Sequence, residues 1–142
     1  MKNRDLKATL SAFMEHLWNK GDFSQIATYV AAEYAIKSDP GDPWDGQVID
    51  HAGFKERVLF SRNAFPDLRF DLEELIAEGD RVVASWIMSG THLGDLPGLP
   101  ATGKPFAIRG MTIYYFKGDK VCGHWQAYDR LGFLAQMGVL RG

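Results

Sequence analysis

Pro105-Phe106-Ala107-Ile108-Arg109-Gly110-Met111-Thr112-Ile113-Tyr114-Tyr115-Phe116-Lys117-Gly118-Asp119-Lys120-Val121-Cys122-Gly123-His124-Trp125-Gln126-Ala127-Tyr128 is the stretch that decides how this chain folds. Apolar and aromatic residues dominate both halves, as half-buried strands require. The break between them, Lys117-Gly118-Asp119-Lys120, is tight enough for a hairpin. Pro105–Lys117 and Val121–Tyr128 therefore read as antiparallel neighbours. Upstream, Arg81–His92 and Leu68–Ile76 have the same extended texture and are separated by the Glu78-Gly79-Asp80 turn. Four strands in succession make a meander. Leu93–Lys104, with three glycines and two prolines, is the longest irregular segment and is placed to gate whatever the sheet encloses.

Before Pro66 the pattern is helical. Leu6, Leu10, Phe13, Leu17 and Trp18 recur at three- to four-residue spacing, which predicts an amphipathic helix ending near Gly21. Asp22 reads as the N-cap of a shorter helix through Ile26, Tyr29 and Val30. Tyr34–Lys37 fits a short strand and Ser38–Gly46 a loop. A third helix is expected from Asp50 to Ala64, with Phe54, Val58 and Phe65 toward the core and Pro66 stopping it. Leu131–Leu140 fits a last short helix. Helices packed on one face of a curved antiparallel sheet give an α+β architecture, and such a sheet leaves an apolar cone open at one end. No repeat, low-complexity tract or linker divides the 142 residues, so one domain is expected over 1–142.

Composition narrows the function. Formal net charge is -2 with no basic block, which argues against a nucleic-acid partner. No apolar run reaches the roughly 20 residues that span a bilayer, and Met1–Lys7 leads directly into the first helix without a leader-like apolar region. A cytoplasmic location is expected. Cys122 is the only cysteine, so neither an internal disulfide nor a cysteine-based zinc site is available. Aromatic residues at 13% suit a large core, an apolar pocket, or both.

At the end of the last strand, Asp129 sits among aromatic rings. Apolar surroundings disfavour the charged carboxylate and raise its proton affinity, which makes a usable general base. The same aspartate is also a good N-cap for the helix after it, and capping amides favour the charged form. Both readings stand at this stage. His92 and His124 fall at strand ends, where either could polarise a substrate carbonyl or orient Asp129. Gln126 alternates with His124 and Tyr128 and shares their face. Trp86, Met88 and Phe106 either pack in the core or line a pocket, and Trp18 and Trp44 read as packing. Arg109 lies mid-strand and must face solvent, a subunit interface or a substrate. Two histidines without a third ligand in sequence make a poor metal site. No nucleophile elbow, dinucleotide fingerprint or reactive cysteine appears.

Several segments in register resemble the SnoaL-like polyketide cyclase family of the nuclear-transport-factor-2-like superfamily. They are Phe65-Pro66-Asp67, Ser89-Gly90-Thr91-His92-Leu93-Gly94, Pro100-Ala101-Thr102-Gly103-Lys104, Ile108-Arg109-Gly110-Met111, and Gly118-Asp119-Lys120-Val121 leading to His124-Trp125 and Asp129. The resemblance implies a cone-shaped α+β domain and a cofactor-free enzyme that closes a ring by intramolecular aldol condensation. It also implies a small apolar carbonyl substrate, Asp129 in the position of the catalytic aspartate, and a homodimer formed through the exposed sheet face. One departure stands out: members often carry a carboxylate at the position of Gly123. A non-catalytic ligand-binding module and hydrolysis of a strained molecule such as an epoxide are the rival readings.

Overall fold

The computed structural model describes residues 5–140, so Met1–Arg4 at the N-terminus and the last two residues lie outside it. Asp5 caps α1 (Leu6–Phe13) by accepting from the Ala8 amide at 3.0 Å. The helix continues as a π-helical segment over Met14–Asn19, and the stripe Leu6, Leu10, Phe13, Met14, Leu17 and Trp18 stays buried throughout. Gly21 ends the segment at φ 66°. Asp22 does act as a cap, here of a 3-10 turn over Phe23–Gln25 that leads into α2 (Ile26–Tyr29).

At Val30 the chain turns into β1 (Val30–Ser38), longer than the short strand expected, because Val30, Tyr34 and Ile36 face the core. A two-residue strand, β2 (Val48–Ile49), pairs antiparallel with it. α3 (His51–Ala64) begins at the Asp50 cap, whose carboxylate accepts from the Gly53 amide at 2.8 Å, and stops before Pro66. The expected meander comes next: β3 (Arg69–Glu78), β4 (Arg81–Thr91), β5 (Pro105–Lys117) and β6 (Lys120–Tyr128), then α4 (Arg130–Gln136).

The sheet order is β2-β1-β6-β5-β4-β3. The sheet is mixed rather than wholly antiparallel, because β1 runs parallel to β6. That pairing joins residues about ninety positions apart, beyond the reach of any local pattern. It also explains Gly123. A Cβ there would stand 2.7 Å from the Ala35 carbonyl oxygen, so the paired strands leave no room for a carboxylate side chain.

Asn19 fixes the helical layer to the sheet edge. Its side chain accepts from the Phe70 amide at 2.7 Å and donates to the Phe70 carbonyl at 3.0 Å. Inside the cone, rings pack edge-on: Phe13 against Tyr114 at 5.8 Å, Tyr34 against Phe54 at 4.9 Å, Phe70 against Trp86 at 5.0 Å. Trp86 reaches across to β5, where Gly110 pairs with it directly. A Cβ on Gly110 would lie 2.4 Å from the indole, so only glycine admits the ring. None of the described helices is long and apolar enough to cross a membrane.

Candidate active site

Between the helices and the concave face of the sheet lies a cavity of about 560 Å³, in the range of small-molecule sites. Trp18, Phe65, Phe70, Trp86, Met88 and Ile108 make much of its wall. The floor is polar and comes from three places in the sequence: the loop after β1, α3, and the inward face of β6.

His124 is the centre of that floor. Its exposure is only 2%. Nδ1 lies 2.6 Å from the Tyr34 hydroxyl and Nε2 2.8 Å from Asp39 Oδ2. A carboxylate accepts, so Nε2 carries the proton and donates to Asp39, while Nδ1 accepts from Tyr34. Burial pushes the imidazole below its ordinary value, and the bond to Asp39 pulls back without overcoming it. Burial likewise drives the Tyr34 hydroxyl well above its ordinary value. Neutral imidazole and intact phenol are what this chain of hydrogen bonds needs.

Asp39 is 1% exposed and is served from several sides. Arg57 donates from Nη2 to Oδ2 at 2.8 Å, and its Nε donates to Asp42 Oδ2 at 3.0 Å. Burial opposes the Arg57 charge, but the Asp42 and Asp39 carboxylates outweigh it and raise the guanidinium above its ordinary value. The same guanidinium lies 5.3 Å over the Trp18 ring. Oδ1 of Asp39 is less occupied. Its one side-chain partner among the described residues is the Gln126 amide at 3.3 Å.

A relay orients that amide. The Trp86 indole donates to Thr112 Oγ1 at 2.8 Å, and Thr112 donates to Gln126 Oε1 at 2.9 Å. Gln126 must then turn its NH₂ toward Asp39. Tyr128, next on the same face, lines the cavity with a hydroxyl that makes no hydrogen bond among the described residues. Burial raises its phenol above the ordinary value, so it remains a donor.

The residues singled out in the sequence divide into two groups. His124, Gln126, Trp86, Met88 and Tyr128 meet in the cavity. Asp129, His92 and Arg109 stay out of its lining. Asp129 is exposed and caps α4, accepting from the Gly132 amide at 2.8 Å; its carboxylate faces helix amides and water. Arg109 points from the outer face of β5 to Glu73 at 3.6 Å, with its side chain 73% exposed. His92 is fully buried beneath the cavity wall, its ring 5.8 Å from Phe65. Its Nδ1 accepts from the Thr102 amide at 3.2 Å, and its Nε2 has no partner among the described residues. Trp18, read as packing, also lines the cavity and carries Arg57.

Asp39, Asp42 and Arg57 were not picked out by sequence. Asp39-Pro40-Gly41-Asp42-Pro43 has turn chemistry that already accounts for both aspartates. A signal did exist in Arg57, a charged residue next to Val58 on the buried stripe of α3. Among the described residues, no group of three or more His, Cys, Asp or Glu is arranged to hold a metal ion.

A mixed sheet wrapped against helices, enclosing an apolar cavity with a hydrogen-bonded ionisable floor, defines a cone-shaped small-molecule domain. The chain belongs to the SnoaL-like polyketide cyclase family, whose model matches residues 8–137. A curated relative, the aklanonic acid methyl ester cyclase DnrD of Streptomyces peucetius, is 28% identical over 131 residues, covering 88% of this chain and 86% of the relative. A crystal structure of a protein classed with the polyketide cyclases, from Acidithiobacillus ferrooxidans, is 42% identical with a TM-score of 0.87, covering 99% of each chain. IdmH of Streptomyces antibioticus, also classed there, is 26% identical with a TM-score of 0.77, covering 96% of this chain and 100% of its own.

Proposed function

We propose that this protein is a cofactor-independent acid–base catalyst that closes a ring, or shifts a double bond, in a small apolar carbonyl compound. In this reading Asp39 Oδ1 removes a proton from the carbon next to a substrate carbonyl. The Tyr128 hydroxyl donates to the resulting enolate oxygen. The enolate carbon then attacks a second carbonyl, a C–C bond forms, and the alkoxide takes up the proton held by Asp39. Atoms and electrons balance without an oxidant, reductant or cofactor.

One observation carries the reading: a carboxylate 1% exposed lines an apolar cavity with one oxygen only lightly engaged. A carboxylate so placed stands within reach of a ligand in the cavity, whereas Asp129 is turned to its own helix amides outside it. The base is thereby assigned to Asp39 rather than Asp129.

The test uses aklanonic acid methyl ester, the compound in the name of the DnrD relative, as a probe. Deuterium uptake at its acidic carbon in D₂O is followed by NMR, and ring closure by chromatography. Asp39→Asn is expected to slow both by about 100-fold or more, and Asp129→Asn to leave both intact. The reverse pattern returns the chemistry to the helix cap. Binding of the probe without exchange in the wild type would favour the ligand-binding module.

Hydrolysis of a strained ring is a second reading, favoured by the Arg57 bridge between Asp39 and Asp42. Two carboxylates joined by one guanidinium could orient a water. Incorporation of ¹⁸O from labelled water into product would select it.

A homodimer in the cytoplasm completes the proposal. Its support is a row of apolar side chains on the outer sheet face, Ile76 beside Val83, Ile113 and Trp125, directly opposite one another across four strands. Ile76 is 62% and Trp125 45% exposed, an unusual surface for an isolated sheet. Light scattering at micromolar concentration should give twice the chain mass, and Trp125→Glu should halve it. A wild-type monomer removes this part.

A further inference from the structure

Arg130 is the cation of the cavity that nothing on the floor explains. It lies at the first position of α4 and lines the mouth with Leu96, Leu99, Phe133 and Leu134. Its side chain makes no hydrogen bond or ion pair among the described residues, although Asp42 also lines the cavity. Asp39 and Asp42 are both bound by Arg57 instead.

Arg130 is exposed, and its guanidinium lies against the backbone of a neighbouring loop. It rests on Gly41 in the loop after β1, with Cζ and Nη1 both 3.1 Å from where a Cβ on that residue would stand. Gly41 has φ 90°, a conformation that side chains avoid, so this loop provides a seat no other residue type would leave open. Placed there, a planar donor fork lines the mouth of the cavity with no side-chain acceptor of its own among the described residues. Such a fork is suited to bidentate recognition of an anionic oxygen group.

We infer that Arg130 anchors an anionic oxygen on a ligand whose apolar body fills the cone. The inference rests on the cone being the ligand site proposed above, and it adds the charge of the ligand. Two sources share this chemistry: a permanent acidic group on the ligand, or the enolate oxygen created when a neutral ligand loses its proton.

Two fluorescent probes of nearly the same shape separate charge from apolar fit. Anilinonaphthalene sulfonate is an anion, and N-phenyl-1-naphthylamine is neutral. Mutual displacement establishes that both occupy one site. Arg130→Gln is expected to weaken the anion about tenfold, as loss of one charge-assisted contact does, and to leave the neutral probe unchanged. Arg130→Lys should restore part of the loss. Deuterium exchange on the neutral methyl ester forms the second arm.

A loss confined to the anionic probe identifies a permanent acid, and slower exchange with normal probe binding identifies the enolate. Equal weakening of both probes would assign Arg130 a packing role and overturn the inference, as would no effect in either arm. Failure of both probes to bind the wild type would overturn the cavity reading itself. If the wild type binds the probes but supports no exchange, the catalytic proposal fails while the anionic-probe comparison still decides for or against Arg130.

Discussion

His124→Phe tests the floor of the cavity most directly. The ring stays similar in size, but both nitrogens go. Tyr34, 1% exposed, loses the acceptor it holds at 2.6 Å, and Asp39 loses a donor at 2.8 Å while keeping Arg57 and Gln126. A buried hydroxyl left unpaired costs about 1–3 kcal/mol, and a hydrogen bond to a charged group contributes about 1.5–3 kcal/mol. Together they predict a loss of about 3–5 kcal/mol at pH 8, a large share of the stability of an ordinary domain.

The pH dependence gives a second reading of the same change. His124 in the native state has its pKa lowered, so between that value and about 6.5 the unfolded chain binds a proton that the native chain does not. Stability then rises with pH across that window. The penalty is absent above about 6.5, grows as pH falls, and levels off below the native value. One proton gives a slope of at most about 1.4 kcal/mol per pH unit.

Urea unfolding from pH 8 to pH 5 should therefore show the gap between wild type and His124→Phe narrowing as pH falls. A gap that stays constant or widens would mean that His124 is not held neutral, and the bond between its Nδ1 and the Tyr34 hydroxyl would then run from the ring to the phenol. A gap below about 1 kcal/mol at pH 8 would refute the energetic argument outright.

Other changes test the surrounding structure. Thr112→Val removes the link between Trp86 and Gln126 while keeping shape; a loss of about 1–3 kcal/mol from the orphaned indole N–H is expected in urea melts, with a shifted tryptophan emission. Gly110→Ala drives a methyl into Trp86, and the strain should lower the melting temperature by several degrees. Asp129→Ala removes the cap that accepts from Gly132, which should cost about 1 kcal/mol by the same unfolding measurement.

The elements were legible where local chemistry was sufficient to specify them. Asp50 and Pro66 bound α3, and the turn at Gly118 holds the last hairpin together, because capping and turn preferences act within a few residues. The parallel pairing of β1 with β6 was not legible, since it depends on closing a long stretch of chain. The same distance hid the site. His124 could be read from its strand, but its partners Tyr34 and Asp39 lie 90 and 85 positions away. Asp129 drew attention because its aromatic neighbours are adjacent in sequence; in space its carboxylate turns back on its own helix.

The segment from Leu93 to Lys104 is stitched down at both ends. Leu93 and Gly94 donate to the Ala64 carbonyl, while His92 exchanges backbone hydrogen bonds with Lys104 and Gly103. Within it, Leu96 and Leu99 bond each other through both backbone amides, and Asp95 accepts from Ala101. Braced in this way, the segment is a compact hydrogen-bonded unit rather than a loose loop. On the proposed reading of the cone as a ligand site, Leu96 and Leu99 set this braced segment at its rim, where the outline of an entering molecule would be tested first.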